Sequence, residues 1–170
     1  ITSPTEDPGE VWLGYAGVWH LKETPTVSTK AYDSTAYLND GVLTDMESGD
    51  QVAGMIDGSL RFDGGDDLIN AADGPKTADS ALTISFWMNT GVVDYANIFS
   101  AGLSLAGNQG TTILTNNNQK IQWNTGDGAL QWDTLTSAST YSTSGWTYVV
   151  ATWDGTTKKI FLNETQDANT

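Results

Sequence analysis

The sequence predicts an all-β sandwich of two antiparallel sheets, and three observations predict it. Apolar residues alternate with a period of two, the alternating segments are short, and glycine, asparagine and aspartate clusters separate them. A length of 170 residues is that of one such sandwich, and 38% hydrophobic residues, including seven Trp, six Tyr and four Phe, supply a core without cross-links. We therefore expect one domain over residues 11–170, with the polar stretch at 1–10 (ITSPTEDPGE) acting as a connector from a preceding region.

The clearest strand runs from Leu82 to Met88. Leu82, Ile84, Phe86 and Met88 share one face, and Thr83, Ser85 and Trp87 share the other. The segments 147–153 (TYVVATW) and 158–162 (KKIFL) flank Asp154-Gly155-Thr156-Thr157, where Asp-Gly supports the positive φ of a hairpin turn. Further strands are expected at Tyr15 to Leu21, Ser59 to Asp63, Asp67 to Asn70, Asn97 to Ala101, Thr112 to Thr115, Lys120 to Asn124 and Leu130 to Asp133. Breakers interrupt every window of helical length.

Seven Lys plus Arg against 21 Asp plus Glu leave a net charge of −14, which repels nucleic-acid phosphates and anionic membrane surfaces. Neither nucleic acid nor membrane is an expected partner. Sixteen of the acids are Asp, the acid favoured in turns and calcium loops. The absence of cysteine removes disulfides, thiolate metal sites and thiol nucleophiles, and one histidine, His20, cannot build a multi-imidazole zinc site. A high acid content with few cations also fits a saline setting.

The order of segments GVWHLKE (17–23), YDSTAYLNDGVL (32–43), GMIDGSLRFDGGDDLI (54–69), ALTISFWMNT (81–90) and GWTYVVATWDGTTKKIFLNE (145–164) resembles the laminin-G-like, concanavalin A-like domains of bacterial and archaeal surface proteins. The resemblance runs from about Val11 to the end, and is most specific at Gly58, Leu60, Phe62, Asp63, Gly64, Asp66 and Asp67. It implies a jelly roll, located on the cell surface or secreted, that binds glycans, matrix or partner proteins more often than it catalyses. Such domains carry further strands after the one ending near Asn163, so the polar run ETQDANT leads us to expect missing closing strands. An open sheet edge would follow, and with it a homodimer or strand exchange.

Related sandwiches include glycoside hydrolases with two carboxylates on one strand face. The strands here carry almost no acids, so we expect no enzyme. Calcium is the expected cofactor if there is one, with oxygen ligands from Asp33, Asn39, Asp40, Asp63, Asp66 and Asp67; the alternative is that these residues are turn formers whose carboxylates bind backbone N–H groups. For carbohydrate, which stacks on aromatic faces, the candidates are Trp123, Trp132 and Trp87, with Asn124 and Gln131 as hydrogen-bonding neighbours. Alternation puts Trp123 beside Ile121, and Trp132 beside Leu130, on an inward face, whereas Trp87 alternates with Thr83 and Ser85. The expected function is a non-catalytic extracellular binding or adhesion module, directed at carbohydrate or matrix, with a structural spacer or assembly domain of a surface protein as the alternative and a glycoside hydrolase fragment as a third, less favoured reading.

Overall fold

The computed structural model describes residues 11–71, 81–104, 109–127 and 132–169. The 1–10 connector lies outside these. The chain divides into two compact units, Ile1–Pro75 and Lys76–Thr170.

In the first unit, β1 (Lys30–Ala31), β2 (Gly41–Thr44) and β5 (Leu68–Asn70) form an antiparallel sheet in the order β1-β2-β5. β3 (Gln51–Ile56) and β4 (Gly58–Leu60) form a tight hairpin turning at Asp57, whose φ is 64°. A bulge lets Gly54 approach the opposite strand so closely that a Cβ there would lie 1.8 Å from the Gly58 carbonyl oxygen. Only glycine fits that approach. The strand expected at Tyr15 to Leu21 does not form. Instead, a single bridge joins Trp19 to Asp33, and the Trp19 indole N–H donates to the Asn39 carbonyl. β1, β2 and β3 lack the clean alternation of an amphipathic strand and were not expected from sequence.

The second unit is a sandwich of two four-stranded antiparallel sheets. One has the order β10-β9-β8-β7, built from β7 (Ala96–Ser104), β8 (Gln109–Thr115), β9 (Ile121–Asp127) and β10 (Trp132–Thr136). The other is β13-β12-β11-β6, from β6 (Leu82–Met88), β11 (Thr147–Trp153), β12 (Lys158–Leu162) and β13 (Thr165–Gln166). The strands read from alternation at Leu82 to Met88, 147–153 and 158–162 form with the expected bounds, and Gly155 has the expected positive φ of 97°.

The inner faces of the two sheets meet in a core of Ile113, Ile121, Trp123, Val149, Ala151, Ile160 and Leu162, closed by Tyr141. Each fully buried aliphatic side chain contributes about 2 kcal/mol by leaving water. The Trp123 indole N–H, wholly buried, donates to the Thr111 hydroxyl at 2.6 Å, because an unpaired buried donor would offset much of that gain.

Candidate functional site

The outer face of β7 to β10 is set by register. Thr134 lies opposite Asn124, which lies opposite Thr112, which lies opposite Ser100; one step along, Thr136, Gln122, Leu114 and Asn97 align in the same way. Hydroxyl and amide groups therefore cover one side of a sheet whose other side is core. The Asn124 side chain knits them together: its Nδ2 donates to Thr112 Oγ1 at 3.1 Å, while its Oδ1 accepts from Thr134 Oγ1 at 2.8 Å and Gln122 Nε2 at 3.1 Å. Asn124 is buried within this row and Thr134 is exposed, so Asn124 orients groups that reach solvent.

Trp132 belongs to the same face. It lies in register with Gly126, which lies in register with Gly110, so the indole stands beside a strip of two strands without side chains. Gly110 is required there, since its φ is +109° and a Cβ would lie 2.3 Å from the Ala101 carbonyl oxygen. At the β7 side, Tyr95, Ala96, Asn97, Thr112 and Leu114 line a cleft of about 340 Å³. The cleft spans β8 and β7, two to three strand spacings (roughly 10–14 Å) across the sheet from the β10 strand that carries Trp132.

Two expectations for the aromatic residues are corrected. Trp123 is fully buried in the core and is no stacking surface. Trp132 does not share its inward face: β10 runs from Trp132 to Thr136 with Leu135 opposite Trp123, so Trp132 points outward and is 37% exposed. Trp87 is also exposed, but on the other sheet, where its ring packs on Tyr148 with centroids 4.9 Å apart. Trp123 thus lies in the core, and Trp132 and Trp87 stand on different sheets, so the three indoles form no common platform. Gln131 lies outside the described residues.

The acidic candidates also separate. Asp33 is 4% exposed and both its oxygens are used: Oδ1 accepts from the Val18 and Thr35 amides, Oδ2 from the Thr35 hydroxyl and the Asn39 amide. Burial pushes its carboxyl up, but these four bonds outweigh burial and hold it below the usual carboxylate range. Asp40 accepts from the Asp33 amide and pairs with Lys30 at 3.2 Å, and the Asn39 side chain donates to the Ala16 carbonyl. These bonds match the turn-forming alternative expected for Asp33, Asn39 and Asp40, whose carboxylates and amide are engaged by backbone groups and Lys30. Asp63, Asp66 and Asp67 differ, since their carboxylate oxygens converge within 4.8 Å of one another on the connection between β4 and β5. Asp63 Oδ1 accepts from the Gly65 amide and Asp67 Oδ2 from the Asp63 amide, which fixes both carboxylates on the connection. Three convergent carboxylates fit a hard divalent cation that completes its shell with water or carbonyl oxygen.

Asp167 and Lys158 are buried charges that had no sequence signal. Asp167 accepts from the Ala138, Ser139 and Asn169 amides. Lys158 faces inward on β12, with its ammonium 5.5 Å from the centre of the Trp123 ring and 3.0 Å from Asp133 Oδ2. Burial lowers the Lys158 pKa, and Asp133 opposes that shift.

The fold has a known counterpart. An S-layer domain-containing protein from Clostridium thermocellum is similar in structure, with a TM-score of 0.58 and 21% identity over 91% of this chain and 71% of that one. None of the curated proteins compared matches the chain significantly. The family model of the concanavalin A-like lectin/glucanases superfamily, of the laminin-G type, matches residues 63–170, more than half of the sequence, and the chain belongs to that superfamily.

Proposed function

We propose that this chain is a non-catalytic extracellular module that binds carbohydrate on the outer face of β7 to β10. The observation that carries the reading is the pairing, on one face, of the exposed Trp132 indole beside Gly110 and Gly126 with the Asn124-centred row of hydroxyls and amides. A sugar ring has an apolar face that packs on an indole and a rim of hydroxyls that both donate and accept. Asn97, Ser100, Gln122 and Thr134 offer both functions, and the residues lining the cleft near Tyr95 give a second contact. The face carries no ionised group among these residues, which favours a neutral glycan over a charged one. Membership of a superfamily that includes lectins supports the same reading.

Calcium enters as a structural ion on this reading. Asp63, Asp66 and Asp67 would hold it, where it would neutralise three adjacent carboxylates and fix the connection between β4 and β5.

Binding of neutral oligosaccharides, screened on an array and then measured by calorimetry with calcium present, tests the proposal. Trp132→Ala should weaken binding at least tenfold while leaving the thermal midpoint nearly unchanged, because a partly exposed indole on an edge strand contributes more to a ligand than to the core. Binding that survives Trp132→Ala undiminished would place the site elsewhere.

A further inference from the structure

The connection between β6 and β7 displays apolar side chains on a backbone that is tied down from beneath. Val92, Val93 and Tyr95 are 64%, 44% and 63% exposed. Below them the buried Tyr141 hydroxyl donates to the Val92 carbonyl at 3.3 Å, and the buried Thr115 hydroxyl donates to the Asp94 carbonyl at 2.7 Å and accepts from the Ala96 amide at 3.1 Å. Asp94 Oδ1 accepts from the Tyr95 amide at 2.7 Å. The Tyr95 ring therefore stands in solvent on a backbone held on both sides of it, and a ligand that covers the ring has little left to order.

Tyr95 is also one wall of the cleft that Asn97, Thr112 and Leu114 help to line, so an aromatic face and an aliphatic side chain meet an amide and a hydroxyl there. Register places this cleft relative to Trp132. Thr112 lies in the row of Thr134, and Leu114 and Asn97 lie in the row of Thr136, two and four residues along β10 from the indole. With strands about 4.8 Å apart and residues about 3.4 Å apart along them, the indole and the centre of the cleft are roughly 16 Å apart on the diagonal. The path between them crosses the uncharged side chains of Thr134, Asn124 and Gln122. One sugar ring cannot reach both ends. An extended β-1,4-linked chain rises by nearly one strand spacing per ring, so about four rings connect them.

Resting on the reading of this face as a glycan site, we propose that Tyr95 is its second ring platform and that the ligand is a neutral, extended β-1,4-linked chain of about four rings, lying diagonally from Trp132 on β10 to Tyr95 beside β7. The Asp94 carboxylate next to Tyr95 disfavours an acidic sugar at that end.

Calorimetry with cello- and chito-oligosaccharides of two to six rings, calcium present, tests the proposal. Affinity in at least one series should rise about tenfold from the disaccharide to the tetrasaccharide and level off beyond it, as the second platform comes within reach. Tyr95→Ala should fold, as checked by near-ultraviolet circular dichroism, because the ring is exposed. It should bring the tetrasaccharide down to the affinity of the disaccharide and leave the disaccharide unchanged, whereas Trp132→Ala should weaken both. Trp132-dependent binding that is independent of chain length, or a tetrasaccharide held equally well by Tyr95→Ala, would overturn the proposal and keep the glycan site. So would failure of both series to bind while another neutral sugar is held through Trp132. Binding indifferent to Trp132→Ala, or no binding of any neutral sugar, would remove the glycan site and this proposal with it.

Discussion

At the scale of single residues, the carboxylates divide by what their oxygens meet. Asp154 shows the turn-forming use: its Oδ1 accepts from the Thr156 amide and hydroxyl and the Thr157 amide, and these bonds, that from the Thr157 amide first, lower its pKa to about 2. Asp33 and Asp167 do the same work while buried, and both are held below the ordinary value as hydrogen bonds overcome burial. An unfolded aspartate titrates near about 3.9, and these folded ones titrate lower. The stability they contribute is therefore complete above that pH and is lost as pH falls through their folded values. Asp167→Asn should cost about 2 kcal/mol at neutral pH, because an amide cannot accept at both oxygen positions from the Ala138, Ser139 and Asn169 amides. Urea denaturation at pH 7 and at pH 3 checks this. The deficit should be smaller at the lower pH, and an equal deficit at both would show that ionisation of Asp167 is irrelevant.

At the scale of elements, the hairpins and the inter-sheet contact carry the next expectations. β12 turns into β13 through Asn163 and Glu164, with φ of 48° and 67°, between the paired residues Leu162 and Thr165. Two positive φ values in a two-residue loop define a type I′ turn, in which Asn-Gly is the preferred pair and glutamate is strained. Glu164→Gly should stabilise the protein by about 1 kcal/mol, seen as a raised thermal midpoint. A lowered midpoint would mean that the Glu164 side chain contributes more than its backbone costs. Lys158 joins β12 to the opposite sheet through Asp133 and the Trp123 ring. Removing the burial of a charge offsets the loss of its partners, so Lys158→Met, which keeps the aliphatic bulk, should leave stability within about 1 kcal/mol of the original. Lys158→Ala should lower it by about 2 kcal/mol or more by leaving a cavity beside Trp123. Equal losses in the two variants, measured by chemical denaturation, would assign the contribution to the ammonium rather than to packing.

At the scale of the whole molecule, an excess of 14 negative charges makes the folded chain receptive to a divalent cation wherever carboxylates converge. Calcium at a hundred times its dissociation constant should add about 2.7 kcal/mol of stability by mass action, observable as a higher thermal midpoint than in EDTA. Asp66→Asn should remove that increment, whereas Asp40→Asn, in the turn-forming cluster, should keep it. A midpoint indifferent to calcium would reduce the Asp63, Asp66 and Asp67 group to a solvated acidic loop.

The sequence by itself determined the fold class, the β11–β12 hairpin and the two faces of β6. Each of these follows from period-two alternation or from the backbone freedom of an Asp-Gly turn, which are local properties. Only the tertiary structure decided which way Trp132 points. Alternation relates residues within one strand, but the parity between two strands depends on their register, and a one-residue shift reverses every side chain; Leu135 rather than Trp132 shares the inner face with Trp123. The acidic clusters were likewise indistinguishable as sequence. Asp33 is spent on the amides of Val18, Thr35 and Asn39, whereas the carboxylates of Asp63, Asp66 and Asp67 converge within 4.8 Å of one another. Lys158 and Asp167 gave no warning, because whether a charge is buried depends on partners 25 to 29 residues away in the chain, brought near only by folding.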